Sequence, residues 1–185
     1  MDAIEAIHGR RSIRAYEAKP VERSLIEAVV WDAVQAPSTP VSGRQPWIFN
    51  IVEGAERIGA YGDRAKAYAR DNRPKGPGYG WADQPEFSVF FDAPVVVVIS
   101  GAVGNSQALA ECCRAGQNLM ISAYARGLGT CWVGSPMLWM RDLSVRAELG
   151  IPDGFEPFVV FTLGWPRIVP EGQAREAPII LWSEG

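Results

Sequence analysis

Pro94-Val95-Val96-Val97-Val98-Ile99-Ser100-Gly101 is the stretch on which the fold turns. Five β-branched residues follow one another without a polar break, between a proline and a glycine. A strand with one wet face would alternate apolar with polar side chains. A short unbroken run instead reads as a central strand buried on both faces. Such a strand needs cover on each side, and the flanking sequence supplies it.

Downstream, Asn105 or Ser106 is placed to cap a helix running to about Arg126. Ala108, Leu109, Cys112, Gly116, Leu119, Met120, Ala123 and Tyr124 make that helix apolar over most of its surface, so a central position is expected. Its small residues Ala115 and Gly116 would permit close approach of another helix. Gly127-Leu128-Gly129 ends it by C-cap logic. Arg141 to Leu149 reads as a short helix, Phe155 to Leu163 as a strand, and Ile179 to Trp182 as an apolar segment.

Upstream, Asp2 to Gly9 is expected to form one or two helical turns. Pro20 opens a helix in which Leu25, Ile26, Val29, Val30, Ala33 and Val34 recur at three-to-four spacing, and Pro37 stops it. Trp47 to Val52 reads as a strand, and Glu56 to Tyr68 as a helix. The stretch 71–85 differs in kind, mixing Pro74, Gly76, Pro77, Gly78 and Gly80 with Tyr79 and Trp81. A loop this long in a compact domain is often a functional lid, and the aromatics favour that reading. Helices and strands do not alternate regularly. The fold class expected is α+β: a mainly antiparallel central sheet flanked by helices, in one domain spanning 1–185.

Composition narrows the function. The 185 residues carry a net charge of −3, with 48% hydrophobic and 21% charged residues. A nucleic-acid binder would show a basic balance or a long Lys/Arg stripe. The longest apolar run, Ala93 to Ile99, falls far short of the ~20 residues of a membrane span. No signal-peptide pattern follows Met1-Asp2-Ala3-Ile4-Glu5. Three cysteines, Cys112, Cys113 and Cys131, lack CxxC spacing, so neither a disulfide framework nor a metal site is expected. A cytoplasmic home is the simplest expectation. With His8 as the only histidine and no GxSxG turn, a Ser–His–Asp triad is not expected; neither GxxxxGK[ST] nor GxGxxG is present.

Three segments could carry chemistry. In Arg10-Arg11-Ser12-Ile13-Arg14, residues 10, 12 and 14 would face one way in an extended segment, so two guanidinium groups and a hydroxyl could converge on one phosphate. A solvated basic patch pairing with Glu5 or Glu17 is the alternative. Ala36-Pro37-Ser38-Thr39-Pro40-Val41-Ser42-Gly43-Arg44-Gln45-Pro46-Trp47 is a small polar loop that would let backbone and an amide approach a flat ring; it could equally be an ordinary connection. Gly127-Leu128-Gly129-Thr130-Cys131-Trp132-Val133-Gly134 is a tight turn that exposes backbone N–H groups, or a plain helix-to-strand turn. Cys131 is more often a small buried hydrophobe than a redox thiol.

With Ala115-Gly116-Gln117-Asn118-Leu119-Met120 and Leu163-Gly164-Trp165-Pro166, these segments stand in an order that resembles the FMN-dependent nitroreductase family over nearly the whole chain. The resemblance implies an FMN-dependent NAD(P)H oxidoreductase, with NADH or NADPH as electron donor. It would be a homodimer with FMN at the interface, reducing nitroaromatics, quinones or similar small electrophiles by a ping-pong cycle. It implies that Arg10, Arg11, Ser12 and Arg14, joined by Arg175, hold the FMN phosphate and ribityl chain. Pro37, Ser38 and Thr39 would contact the ring from the partner subunit, with Gln45 near the same ring. Trp132, Val133 and Gly134 would line the ring edge through backbone groups, and no catalytic side chain is implied. Gly43 stands where the family pattern has Asn. A flavin-binding or flavin-storing module without turnover, and an anion-binding protein without flavin, stay open on the sequence alone.

Overall fold

The computed structural model describes residues 1–39, 45–74 and 78–183. The run at Val95 forms strand β2 (Val95–Ala102) of a four-stranded, wholly antiparallel sheet. Its neighbours are β1 (Trp47–Glu53) on one side and β4 (Phe155–Gly164) on the other, with β3 (Gly129–Trp132) beyond β4 as an edge strand.

Successive side chains of a strand point to opposite faces, and β2 uses both. Val95, Val97 and Ile99 face one core, with Phe161 and Leu163 of β4, under helices α2 (Arg23–Ala33) and α4 (Ala108–Ala125). Val96 and Val98 face a second core, with Val52 and Val160, under α3 (Ala55–Asn72), α5 (Met137–Met140) and α6 (Leu143–Glu148). The unbroken apolar run therefore serves two cores at once, and the expected antiparallel α+β class is the fold found. Helix α1 (Ala3–Gly9) begins at Asp2, whose carboxylate accepts from the N–H groups of Ile4 and Glu5.

Several local expectations change. Helix α4 begins at Ala108 with no side-chain cap. Asn105 Oδ1 accepts instead from Gln107 N, and its amide turns to a carboxylate inside the helix. Gly116 does not admit another helix; its bare Cα receives the ring of Phe161, so the contact is helix to sheet. Helix α3 runs on to Asn72 and takes the first residues of the expected lid. Of that excursion, residues 75–77 lie outside the described residues, and Gly80–Asp83 forms a 3-10 turn anchored to α3. Its anchors are an Arg73–Asp83 ion pair at 2.6 Å and a bond from Arg70 Nε to Ala82 O at 2.8 Å. Among the described residues, no helix is long and apolar enough to cross a membrane.

Candidate functional site

The site is assembled on the edge strand. Ile13 N–H donates to Thr130 O at 2.8 Å, and Ser12 bridges Thr130 in parallel fashion. An edge strand presents a row of unpaired backbone groups, and the basic segment meets that edge of β3 at Thr130. Ile13 is buried against Gly129, where any Cβ would collide with it. Two segments 110 and more residues apart in sequence are thereby held as neighbours.

With Ile13 turned inward, Arg10, Ser12 and Arg14 turn outward, as the alternation predicts. They line a cleft of about 540 Å³ together with Arg11, His8 and Arg175. Arg175 reaches the cleft from the extended C-terminal stretch. Arg14 is steadied by the ring of Phe91, with its guanidinium carbon 5.8 Å from the centroid. Phe91 ends an aromatic series whose centroids step 6.4, 5.9 and 6.1 Å from Tyr79 through Trp81 and Phe87. Both Phe91 and Asp92 have positive φ, 54° and 55°, a conformation costly for bulky residues. The 71–85 excursion is thus tied to Arg14 through packed rings, a link the sequence did not disclose.

Arg11 is placed differently from its neighbours. Its Nη1 donates to His8 O at 2.7 Å and to Arg10 O at 2.9 Å, and its guanidinium lies against Gly172. It clamps the end of α1 to the C-terminal stretch, although part of it still borders the cleft.

Beneath the basic segment, Cys131 is buried. Burial pushes its thiol up, while Arg14 and Arg10 pull in the opposite direction without cancelling it. A protonated thiol in that position is a packing group, not a nucleophile. The Tyr16 hydroxyl, 2.7 Å from Thr162 Oγ1, is likewise pushed up by burial.

At the turn after β3, Trp132 is 43% exposed and packs on Phe161, centroids 5.4 Å apart. The backbone groups expected to line a ring edge here differ in what they already bond. Val133 N–H already donates to Val160 O at 2.9 Å, extending the ladder past β3. Gly134 N–H has no backbone acceptor among the described residues, and nothing lies within 4 Å of where its Cβ would be.

The remaining expected residues lie elsewhere. Thr39 N–H donates to Glu111 Oε1 at 2.8 Å, and Arg114 Nη1 donates to Pro37 O at 2.7 Å, so Pro37, Ser38 and Thr39 sit at the first turns of α4. The basic segment sits at the other end, where Gly9 meets the Tyr124 ring. Thirteen residues of helix separate the two, roughly 20 Å. Gln45 is exposed just ahead of β1, at the opposite edge of the sheet, roughly 14 Å across three strand spacings. Gly43 lies outside the described residues. Within one chain the cleft therefore gathers Arg10, Arg11, Ser12, Arg14 and Arg175, with Trp132–Gly134 adjoining along the sheet edge. Pro37–Thr39 and Gln45 stand apart from it.

The donor set fits a flavin phosphate. Planar guanidinium forks and a hydroxyl match phosphate oxygens, and Gly134 leaves open space with an unused N–H for a flat ring. Glu111 and Arg114, which fix the loop, were not singled out from sequence, and Asn105 was read only as a helix cap, although an acid within an apolar helix was a visible signal.

The nitroreductase family profile matches residues 7–165, from within α1 to the end of β4 and just beyond. The chain belongs to the nitroreductase family. A relative from Methanothermobacter thermautotrophicus, provisionally named NADH dehydrogenase/NAD(P)H nitroreductase, is 29% identical over 92% of this chain and 80% of its own. The nitrobenzene nitroreductase of Ectopseudomonas oleovorans is 26% identical over 91% of this chain and 89% of its own. Among solved structures, an FMN-bound nitroreductase from Bacteroides fragilis superposes with a TM-score of 0.86 at 22% identity, over the whole of both chains. One from Desulfitobacterium hafniense, also with bound FMN, gives 0.85 at 22% identity over the same coverage. At that identity they establish the nitroreductase fold.

Proposed function

We propose that this nitroreductase-family chain is an FMN-dependent NAD(P)H oxidoreductase. It works as a homodimer and reduces nitroaromatic, quinone or similar small electrophilic acceptors in a ping-pong cycle. The observation that carries the reading is the Ile13–Thr130 bond, which sets an arginine-rich cleft beside an open glycine turn on one sheet edge. The FMN bound by the B. fragilis and D. hafniense neighbours and the NAD(P)H nitroreductase name of the M. thermautotrophicus relative support it.

When bound, FMN supplies the hydride chemistry, and the protein contributes binding, orientation and electrostatics. Arg10, Ser12, Arg14 and Arg175 hold the phosphate, and Arg11 keeps the C-terminal stretch close enough for Arg175 to join them. The Gly134 N–H and the Trp132 backbone meet the ring edge as fixed dipoles, which favour developing negative charge without having to reorganise. Pro37, Ser38 and Thr39 reach the ring from the second subunit, because in their own they stand a helix length away. Gln45, on the far edge of its own sheet, is assigned to the same trans contact. The aromatic series from Tyr79 to Phe91 flanks the cleft and shapes access.

Purified protein is expected to be yellow, and its absorption is expected to bleach on adding NADH or NADPH. Arg10→Ala combined with Arg14→Ala should leave a folded protein that purifies without flavin. Full retention of FMN by that variant would overturn the phosphate assignment.

A further inference from the structure

Glu111 is fully buried in the first turns of α4, an unusual place for a carboxylate. Each of its oxygens is used: Oε1 accepts from Thr39 N–H at 2.8 Å, and Oε2 accepts from Asn105 Nδ2 at 2.9 Å. Among the described residues no Lys or Arg nitrogen comes within salt-bridge distance of it, since the nearby Arg114 spends Nη1 on Pro37 O. Withdrawing a charge from water without a direct ion pair is costly. A neutral or apolar residue would serve packing better. The charge strengthens the bond that immobilises one backbone N–H, that of Thr39. Thr39 itself is exposed, so the device fixes a segment presented outward.

We propose that Glu111 is a positioning residue: its buried carboxylate, with Arg114 on Pro37 O, holds Pro37–Ser38–Thr39 in the conformation that meets the flavin ring bound by a second copy of the chain. The inference rests on the FMN reading above. It adds a residue that touches neither cofactor nor substrate, and it separates ring from phosphate. Loss of Glu111 weakens what is felt at the ring, whereas loss of Arg10 weakens what is felt at the phosphate.

The test compares FMN with riboflavin, which lacks the phosphate, by fluorescence titration of the flavin-stripped protein. Glu111→Ala should weaken both flavins by the same factor, about 10-fold to 100-fold for one charge-assisted bond. Arg10→Ala should weaken FMN and leave riboflavin nearly unchanged. Hydrogen exchange should accelerate at Thr39 in Glu111→Ala and stay slow through β2. Glu111→Gln, which keeps an oxygen for Thr39 N–H, should recover most of the riboflavin affinity. Accelerated exchange at Thr39 with riboflavin affinity unchanged overturns the inference and leaves the FMN reading standing. Should Glu111→Ala fail to fold, Arg114→Met removes only a solvent-exposed anchor. A smaller loss, equal for both flavins, then supports the inference, and no loss overturns it. A wild-type protein that binds neither flavin overturns the FMN reading and this inference together.

Discussion

Single residues decide how the site is held, and Glu111 makes that measurable through pH. Burial pushes its carboxyl up. The bonds from Thr39 N–H and Asn105, with Arg114 nearby, outweigh burial and hold it below the usual carboxylate range. A group whose folded pKa is depressed contributes stability that is complete above its unfolded pKa and is lost as pH falls through the folded value. Protection of the Thr39 amide, corrected for intrinsic exchange, should therefore hold across neutral and mildly acidic pH and disappear only below the ordinary Glu range. Loss of protection between pH 5 and 7 would contradict this, as would a pH-independent rate. Residue by residue, the sequence was legible where a pattern reports a face. Ile13 alternates with Arg10, Ser12 and Arg14, and the structure turns it inward. Arg11 was less legible, because an arginine clamping backbone carbonyls and one free for a phosphate are the same letter. Val133 was not legible either, since a spent N–H depends on which strand lies alongside.

At the scale of elements, long periodic segments could be read, as could the short helices α1 and α6, whereas the four-residue elements β3 and α5 could not. Strand β2 declared itself because burial on both faces removes every polar break. Strand β3 has four residues, begins at a glycine, and exists as a strand only through β4; α5 is equally short. The meeting of α4 with the sheet gives a quantitative test. A Cβ at Gly116 would come within 2.5 Å of Phe161 Cζ, the tip of a ring that is fully buried and packed in the core. Helix propensity favours alanine over glycine by up to about 1 kcal/mol, whereas overpacking a core costs roughly 1–3 kcal/mol. The clash should win, so Gly116→Ala should lower the urea midpoint. Adding Phe161→Leu should recover part of that loss, beyond the sum of the single effects. A stabilised Gly116→Ala protein would mean that the ring shifts freely and that the helix–sheet contact is looser than it looks.

Across the whole molecule, the residues assigned to one cofactor fall into two groups at opposite ends of α4. The grip at Arg10–Arg14 and Arg175 lies at one end; Pro37–Thr39 lies roughly 20 Å away at the other. A two-fold axis presents the same patch of each subunit to the other, and would bring the grip of one copy to the loop of its partner twice over. The exposed stretch from Ile179 to Leu181, 92% and 90% open at its ends, is the apolar surface such an assembly would cover. This arrangement can be tested without a structure of the dimer. One subunit carries Arg10→Ala and Arg14→Ala; the other has Pro37, Ser38 and Thr39 replaced by glycine. Each homodimer should be unable to turn over NADPH with a quinone acceptor. In a mixed dimer one site inherits both defects and the other inherits neither. After unfolding and refolding an equal mixture, half the dimers are mixed and one site in each is whole, so about a quarter of wild-type activity should return. Were grip and loop of one chain to serve the same site, every site would contain one defect and no activity would return.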